Sequence, residues 1–243
     1  TSEQAEYAIK ALQDAGLENL SIDFIYGMPS LGQEHWRKNL SRAVDMQVPH
    51  ISAYAITVEP NTTLETLILS QKKQPISEAE GASEYRYVMK YLPENNYIHY
   101  EISNFCLPGF QSKHNSMYWE NKPYLGIGPS AHSFNLKTRS WNINNIEAYL
   151  AAINNKTVPF ESEELTVNQQ FNEFVLMGLR TNRGVSVKAV GDLFGPEKSG
   201  YFQKILKKYE NKDLLAVNGD NYQLSDEGKL FADRIISDFF VVD

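Results

Sequence analysis

Leu20 to Tyr26 reads LSIDFIY, and on this stretch the fold class turns. Leu20, Ile22 and Phe24 alternate with Ser21, Asp23 and Ile25, and Gly27 and Pro29 close the run, which predicts a strand. Glu34 to Met46 then places Trp36, Leu40, Ala43 and Val44 at helical spacing, and Ile51 to Thr57, ISAYAIT, reads as a second strand. A strand, a helix and a strand, with apolar residues at nearly every strand position, are the pattern of parallel strands covered by helices. Asp23 stands near the C-terminal end of the first strand, where α/β folds place ligand-binding residues. A carboxylate on an apolar face needs a partner, so Asp23 is either a ligand contact or a structural residue bonded to backbone. Thr57 ends the second strand and carries a weaker signal, since threonine is common there.

Working outward, Thr1 and Gln4 form a potential capping box for a first helix that runs up to Gly16. Glu59 to Pro75 is a polar loop, and Ser77 with Glu80 caps a helix to Leu92 that Pro93 ends. A third strand, Tyr97 to Ile102, sets His99 and Glu101 on one face and Ile98, Tyr100 and Ile102 on the other, and a loop, Ser103 to Ser112, follows. Trp141 to Asn145 leads into a helix at Ile146 to Ile153, and the polar stretch Asn154 to Glu164 reads as a linker. From Leu165, helices at Asn168–Thr181, after Ser186 and at Tyr201–Tyr209 precede two strands around Asn218-Gly219-Asp220-Asn221, a strong hairpin signal, and a helix capped by Ser225. Three helices and a hairpin resemble a winged helix. The expected organisation is a barrel-type α/β domain at 1–153, a linker at 154–164 and a mostly helical winged-helix-like domain at 165–243.

With 243 residues, 42% of them apolar, the chain can bury one large core or two modest ones. A formal charge of −7 argues against non-specific binding of nucleic acid or anionic lipid. The domain from Leu165 carries ten Lys/Arg against eleven Asp/Glu, so the basic face Lys204, Lys207 and Lys208 reads as solvated. One cysteine, Cys106, excludes an internal disulfide and any site built from several thiolates within this chain. No run of about 18 apolar residues or secretory leader is visible, and the expected location is the cytoplasm. The chain opens at a helix N-cap rather than with a natural start, and is expected to be a piece of a longer protein.

His114 to His132, HNSMYWENKPYLGIGPSAH, carries the chemistry. His114 is a neutral, basic ligand for a transition metal near pH 7, and Tyr118 and Trp119 can line a flat pocket. The plainer alternative is a hydrogen-bonded histidine beside two packing aromatics. Tyr124 to Ile127 reads as a short apolar strand ending at Gly128-Pro129-Ser130. Gly126-x-Gly128 lacks the third glycine and following helix of a dinucleotide fingerprint. Glu101 with His99 forms a possible acid/base pair, although ordinary strand residues account for both.

Together SIDFIYGMP (Ser21–Pro29), YEISNF (Tyr100–Phe105), HNSMYW (His114–Trp119) and YLGIGPSAHS (Tyr124–Ser133) resemble the radical S-adenosylmethionine family of oxygen-independent coproporphyrinogen III oxidases. Within it they resemble the oxidase-like branch of heme chaperones, in the same motif order. The resemblance implies an incomplete TIM-type (β/α) barrel with a helical C-terminal domain. It implies S-adenosylmethionine contacts at Asp23, Ile25, Thr57 and His132, the last replacing an apolar residue of the oxidase branch. It implies heme on the HNSMYW segment, with His114 as iron ligand and Asn115, Tyr118 and Trp119 around it. Heme or porphyrin and heme-acceptor proteins, membrane proteins among them, are the implied partners. The family's 4Fe-4S cluster needs a CxxxCxxC segment that this sequence lacks, so the chain alone is expected to be inactive. Two other readings stay open: an oxidase decarboxylating coproporphyrinogen III propionates, and a winged-helix nucleic-acid regulator.

Overall fold

The computed structural model describes every residue except Ser30, Ile76 and Asp243. It divides into two compact units, Thr1–Ser112 and Lys113–Asp243.

The first unit opens with α1 (Ser2–Asp14), on which Thr1 and Gln4 form the expected capping box. β1 (Ser21–Tyr26), α2 (Gln33–Asp45) and β2 (His50–Ala55) follow, and the two strands pair in parallel from Ser21 opposite His50 to Tyr26 opposite Ala55. Within the stretch predicted to be loop lies a short helix, α3 (Thr63–Leu69), because the Thr62 side chain accepts a hydrogen bond from the Glu65 N–H and caps it. α4 (Glu78–Glu94) carries the Ser77/Glu80 box and takes Pro93 into its last turn. β3 (Ile98–Glu101) and β4 (Asn104–Cys106) complete a sheet of order β1-β2-β4-β3. β4 is antiparallel to both neighbours, so β3 runs parallel to β2. A return strand thus occupies part of the predicted loop Ser103–Ser112 and separates the second and third parallel strands.

Helices α2 and α4 cover one face of this sheet. Trp36 of α2 lies edge-on to Phe24 at 5.8 Å, and Tyr85 of α4 stacks on Tyr26 at 5.8 Å and meets His99 edge-on at 6.5 Å. Leu40, Ile51, Val88, Leu92 and Phe105 are fully buried, each contributing about 1.5–3 kcal/mol. Since side chains alternate along a strand, Asp23 and Ile25 of β1 and Ser52 and Tyr54 of β2 belong to the opposite face. The strict alternation expected for Tyr97–Ile102 fails at a bulge between His99 and Glu101: His99 stacks on Phe105 at 4.1 Å, while Glu101 is set opposite Asn104. His99 and Glu101 are therefore not a same-face pair.

The second unit begins with α5 (Lys113–Trp119). Its first sheet contains β5 (His132–Phe134), β6 (Thr138–Asn142) and β7 (Phe160–Glu164), antiparallel in that order, with α6 (Ile146–Asn154) between β6 and β7. Phe160–Glu164 is thus a strand inside the expected linker; its sequence, FESEE, is fully exposed and offers no apolar alternation to betray it. The predicted strand Tyr124–Ile127 is reduced to one bridge, Tyr124 to Phe134, with Leu125 and Ile127 80% and 85% exposed.

The remainder is α7 (Val167–Leu179), β8 (Val185–Ser186), α8 (Val187–Lys207), β9 (Leu215–Asn218), β10 (Asn221–Leu224), α9 (Asp226–Lys229) and α10 (Ala232–Asp238). α8 is kinked at Gly195, whose φ of 84° is left-handed, just before Pro196. The sheet order β8-β10-β9 and the hairpin turn at Gly219 give the winged-helix arrangement. Phe171, Val175, Leu179, Phe202, Ile235 and Phe239 form its core.

Candidate functional site

In the first unit, Asp23 and Ile25 occupy the helix-free face of β1, both exposed, and Thr57 lies exposed two residues beyond the end of β2. Towards the strand starts, Ser21 Oγ lies 2.7 Å from His50 Nδ1, and His50 Nε2 lies 2.8 Å from the Tyr100 hydroxyl. Burial lowers the pKa of His50, and the nearby Asp23 carboxylate opposes that shift. Cys106, opposite His50 in register, is fully buried, and burial pushes its thiol up to about 11. Such a thiol is a poor thiolate ligand. Past the end of β1, the Gly27 N–H donates to buried Glu84 Oε2 at 2.7 Å, while the Trp36 indole donates to the Glu84 carbonyl at 2.9 Å. Gly27 has a φ of 76°, so Glu84 pins a left-handed turn beside the strand that carries Asp23. Tyr26 is pushed up to about 12 by burial and by Glu84. Nothing in the sequence marks Glu84, an interior position of a helix.

In the second unit, α5 divides HNSMYW between two sides, because positions four apart share a helix face. His114 and Tyr118 share one, both exposed, with the imidazole edge-on to the phenol at 5.0 Å. The aromatic line continues through Tyr124, 4.8 Å from Tyr118, to Phe134. Asn115 and Trp119 share another side. Trp119 is half-buried, its indole nitrogen is buried without a hydrogen-bond partner among the described residues, and the Arg180 guanidinium lies 5.9 Å above its ring.

His132, exposed on β5, faces Trp141 at 6.1 Å, and with Ser130, Asn142, Ile143 and Glu161 they line a cleft of about 360 Å³. The Asn142 amide donates to the Gly128 carbonyl at 2.8 Å, holding the turn in place. A Cβ at Gly126 would lie 2.2 Å from the His132 carbonyl oxygen, so close packing against β5 explains this glycine. Of the four implied S-adenosylmethionine contacts, three thus lie in the first unit and His132 in the second. Among the described residues no group of three His, Cys, Asp or Glu side chains is arranged to hold a metal ion.

Residues 165–231 match the family model of the HemN C-terminal domain. The heme chaperone HemW of Bacillus subtilis is 31% identical over 228 residues, which are 93% of this chain and 60% of the relative. HemW of Lactococcus lactis is 30% identical over 248 residues, 100% of this chain and 64% of the relative. Among solved structures, coproporphyrinogen III oxidase HemN from Escherichia coli, a radical SAM enzyme, superposes with a TM-score of 0.75 at 17% identity, covering 99% of this chain and 59% of that one. Residues 165–231 thus match a HemN C-terminal domain, and the chain along nearly its whole length is similar to these two heme chaperones. The chain spans a little under two thirds of the length of these two relatives.

Proposed function

We propose that this chain is part of a radical S-adenosylmethionine heme chaperone and that His114 holds the heme it delivers. The observation that carries the reading is the exposed imidazole of His114, edge-on to exposed Tyr118 on one side of α5. An imidazole open to solvent is free to ligate iron, and the aromatic beside it offers an apolar surface to a flat macrocycle. Asn115 and Trp119, on another side of the helix, complete the set of residues proposed around the heme. The protein's two-domain organisation, 1–153 and 165–243, with heme-acceptor proteins as partners, membrane proteins included, belongs to the same proposal; nucleic acid does not.

Asp23 and Ile25, side by side at the helix-free face of β1, suit a nucleoside, the carboxylate accepting from sugar hydroxyls and the isoleucine packing on the base. With Thr57 in the same unit, they are the residues that would hold S-adenosylmethionine, which supplies a reducible sulfonium when bound. The cluster does not fit this chain: its one thiol is buried and held protonated, and no step is assigned through a cluster.

Titrating the protein with hemin tests the reading. A Soret band should develop that is lost or shifted in His114→Ala and kept in Cys106→Ala. An unchanged band position and affinity in His114→Ala would remove the heme assignment. Asp23→Ala should weaken S-adenosylmethionine binding by calorimetry, and an unchanged Kd makes Asp23 structural.

A further inference from the structure

Each residue of α5 turns about 100° from the one before it, so Met117 and Tyr118 fall on either side of the direction in which His114 projects, about 60° and about 40° away. Asn115 and Trp119 point elsewhere. Helical side chains lean towards the N-terminus, which brings those of Met117 and Tyr118 over the turn that carries the imidazole. The ring of Tyr118 takes one flank, edge-on to His114 at 5.0 Å. The thioether of Met117 takes the other, since positions three apart are neighbours on a helix surface.

Met117 differs from the other four of the chain's five methionines. Met89 is buried, Met28, Met46 and Met177 are half-buried, and Met117 is 41% exposed. The first four fill space in a core or at its margin, the usual use of a flexible apolar side chain. Met117 instead turns a soft, uncharged sulfur donor to solvent, one helical turn from an imidazole that is open to solvent as well. The binding site drawn around His114 uses Asn115, Tyr118 and Trp119 of the same helix and leaves this sulfur without a role.

We propose that Met117 is a second ligand for the heme iron and takes it from His114 when the iron is ferrous. This rests on the reading of His114 as the heme ligand. Both donors stand on one side of α5, so they reach the iron from the same face of the macrocycle and exchange there rather than bracket it. A one-electron reductant converts the ferric iron to ferrous. The iron–nitrogen bond to the imidazole then breaks, an iron–sulfur bond to Met117 Sδ forms, and no proton moves. Thioether sulfur suits the softer ferrous iron and raises the potential of a heme that it binds, whereas imidazole also serves the ferric state. The opposite face of the macrocycle is left to a ligand of the acceptor.

X-ray absorption at the iron edge tests the assignment, on the hemin complex of the Cys106→Ala chain, in which methionine supplies all the sulfur. The ferric complex should show no sulfur neighbour, and the dithionite-reduced complex should show one that Met117→Leu, close in volume and made at an exposed position, removes. Met117→Leu should also lower the reduction potential of the bound heme. In protein carrying carbon-13 methionine methyls, the resonance missing from Met117→Leu should move far upfield in the ferrous complex while the other four stay. A reduced complex without a sulfur neighbour overturns the proposal, as does a sulfur neighbour or a potential that Met117→Leu leaves unchanged. If His114→Ala leaves the ferric Soret band untouched, the heme reading falls and Met117 with it. If His114→Ala shifts or removes that band and reduction brings no sulfur to the iron, only the role of Met117 falls.

Discussion

His50 shows how one side chain ties local chemistry to stability. Its two ring nitrogens are taken by Ser21 and Tyr100, and burial holds its pKa below the ordinary value. In the unfolded chain the imidazole titrates near about 6.5. Below that pH the unfolded state binds a proton that the native state takes up only at lower pH, so stability is full above it and falls as the pH drops. The urea midpoint should therefore decline between about pH 7.5 and about pH 5.5. His50→Gln should flatten that slope while lowering the starting stability, and an equally steep slope in the variant would place the effect elsewhere.

Helix starts in this chain are set by a few adjacent atoms. Ser77 accepts from the Glu80 N–H, and Glu80 bonds back to the Ser77 N–H and hydroxyl, closing α4 at its N-terminus. Ser77→Ala should cost about 1 kcal/mol in equilibrium urea unfolding. A loss below a few tenths of that would mean that packing of Tyr85, Val88 and Leu92 alone fixes the helix. Strands behave differently. β7 has no apolar face, and its pairing with β6 from Thr138–Glu164 to Asn142–Phe160 exists through backbone bonds to a neighbour about 20 residues away in sequence. Gly126→Ala meets the His132 backbone directly and should lower the thermal midpoint of the protein more than Gly32→Ala, whose Cβ meets nothing within 4 Å.

At the scale of the whole molecule, the single cysteine sets what the chain can carry. Anaerobic reconstitution with iron and sulfide should give no stoichiometric 4Fe-4S absorbance, since Cys106 is buried with its thiol pushed up to about 11. A full cluster spectrum would require ligands of another kind. No helix among the described residues is long and apolar enough to cross a membrane. Legibility followed the range of the interactions. Capping boxes at Thr1 and Ser77, the strands β1 and β2 and the Asn218–Asn221 hairpin could be read from sequence, because each depends on neighbours a few positions apart or on residue type. The return strand β4, the strand β7, the turn-pinning Glu84 and the pairing of Glu101 with Asn104 across a bulge could not. These depend on which strands lie side by side and on one bulge that shifts a register by a residue. Composition and periodicity carry no record of either, and only the folded chain decides them.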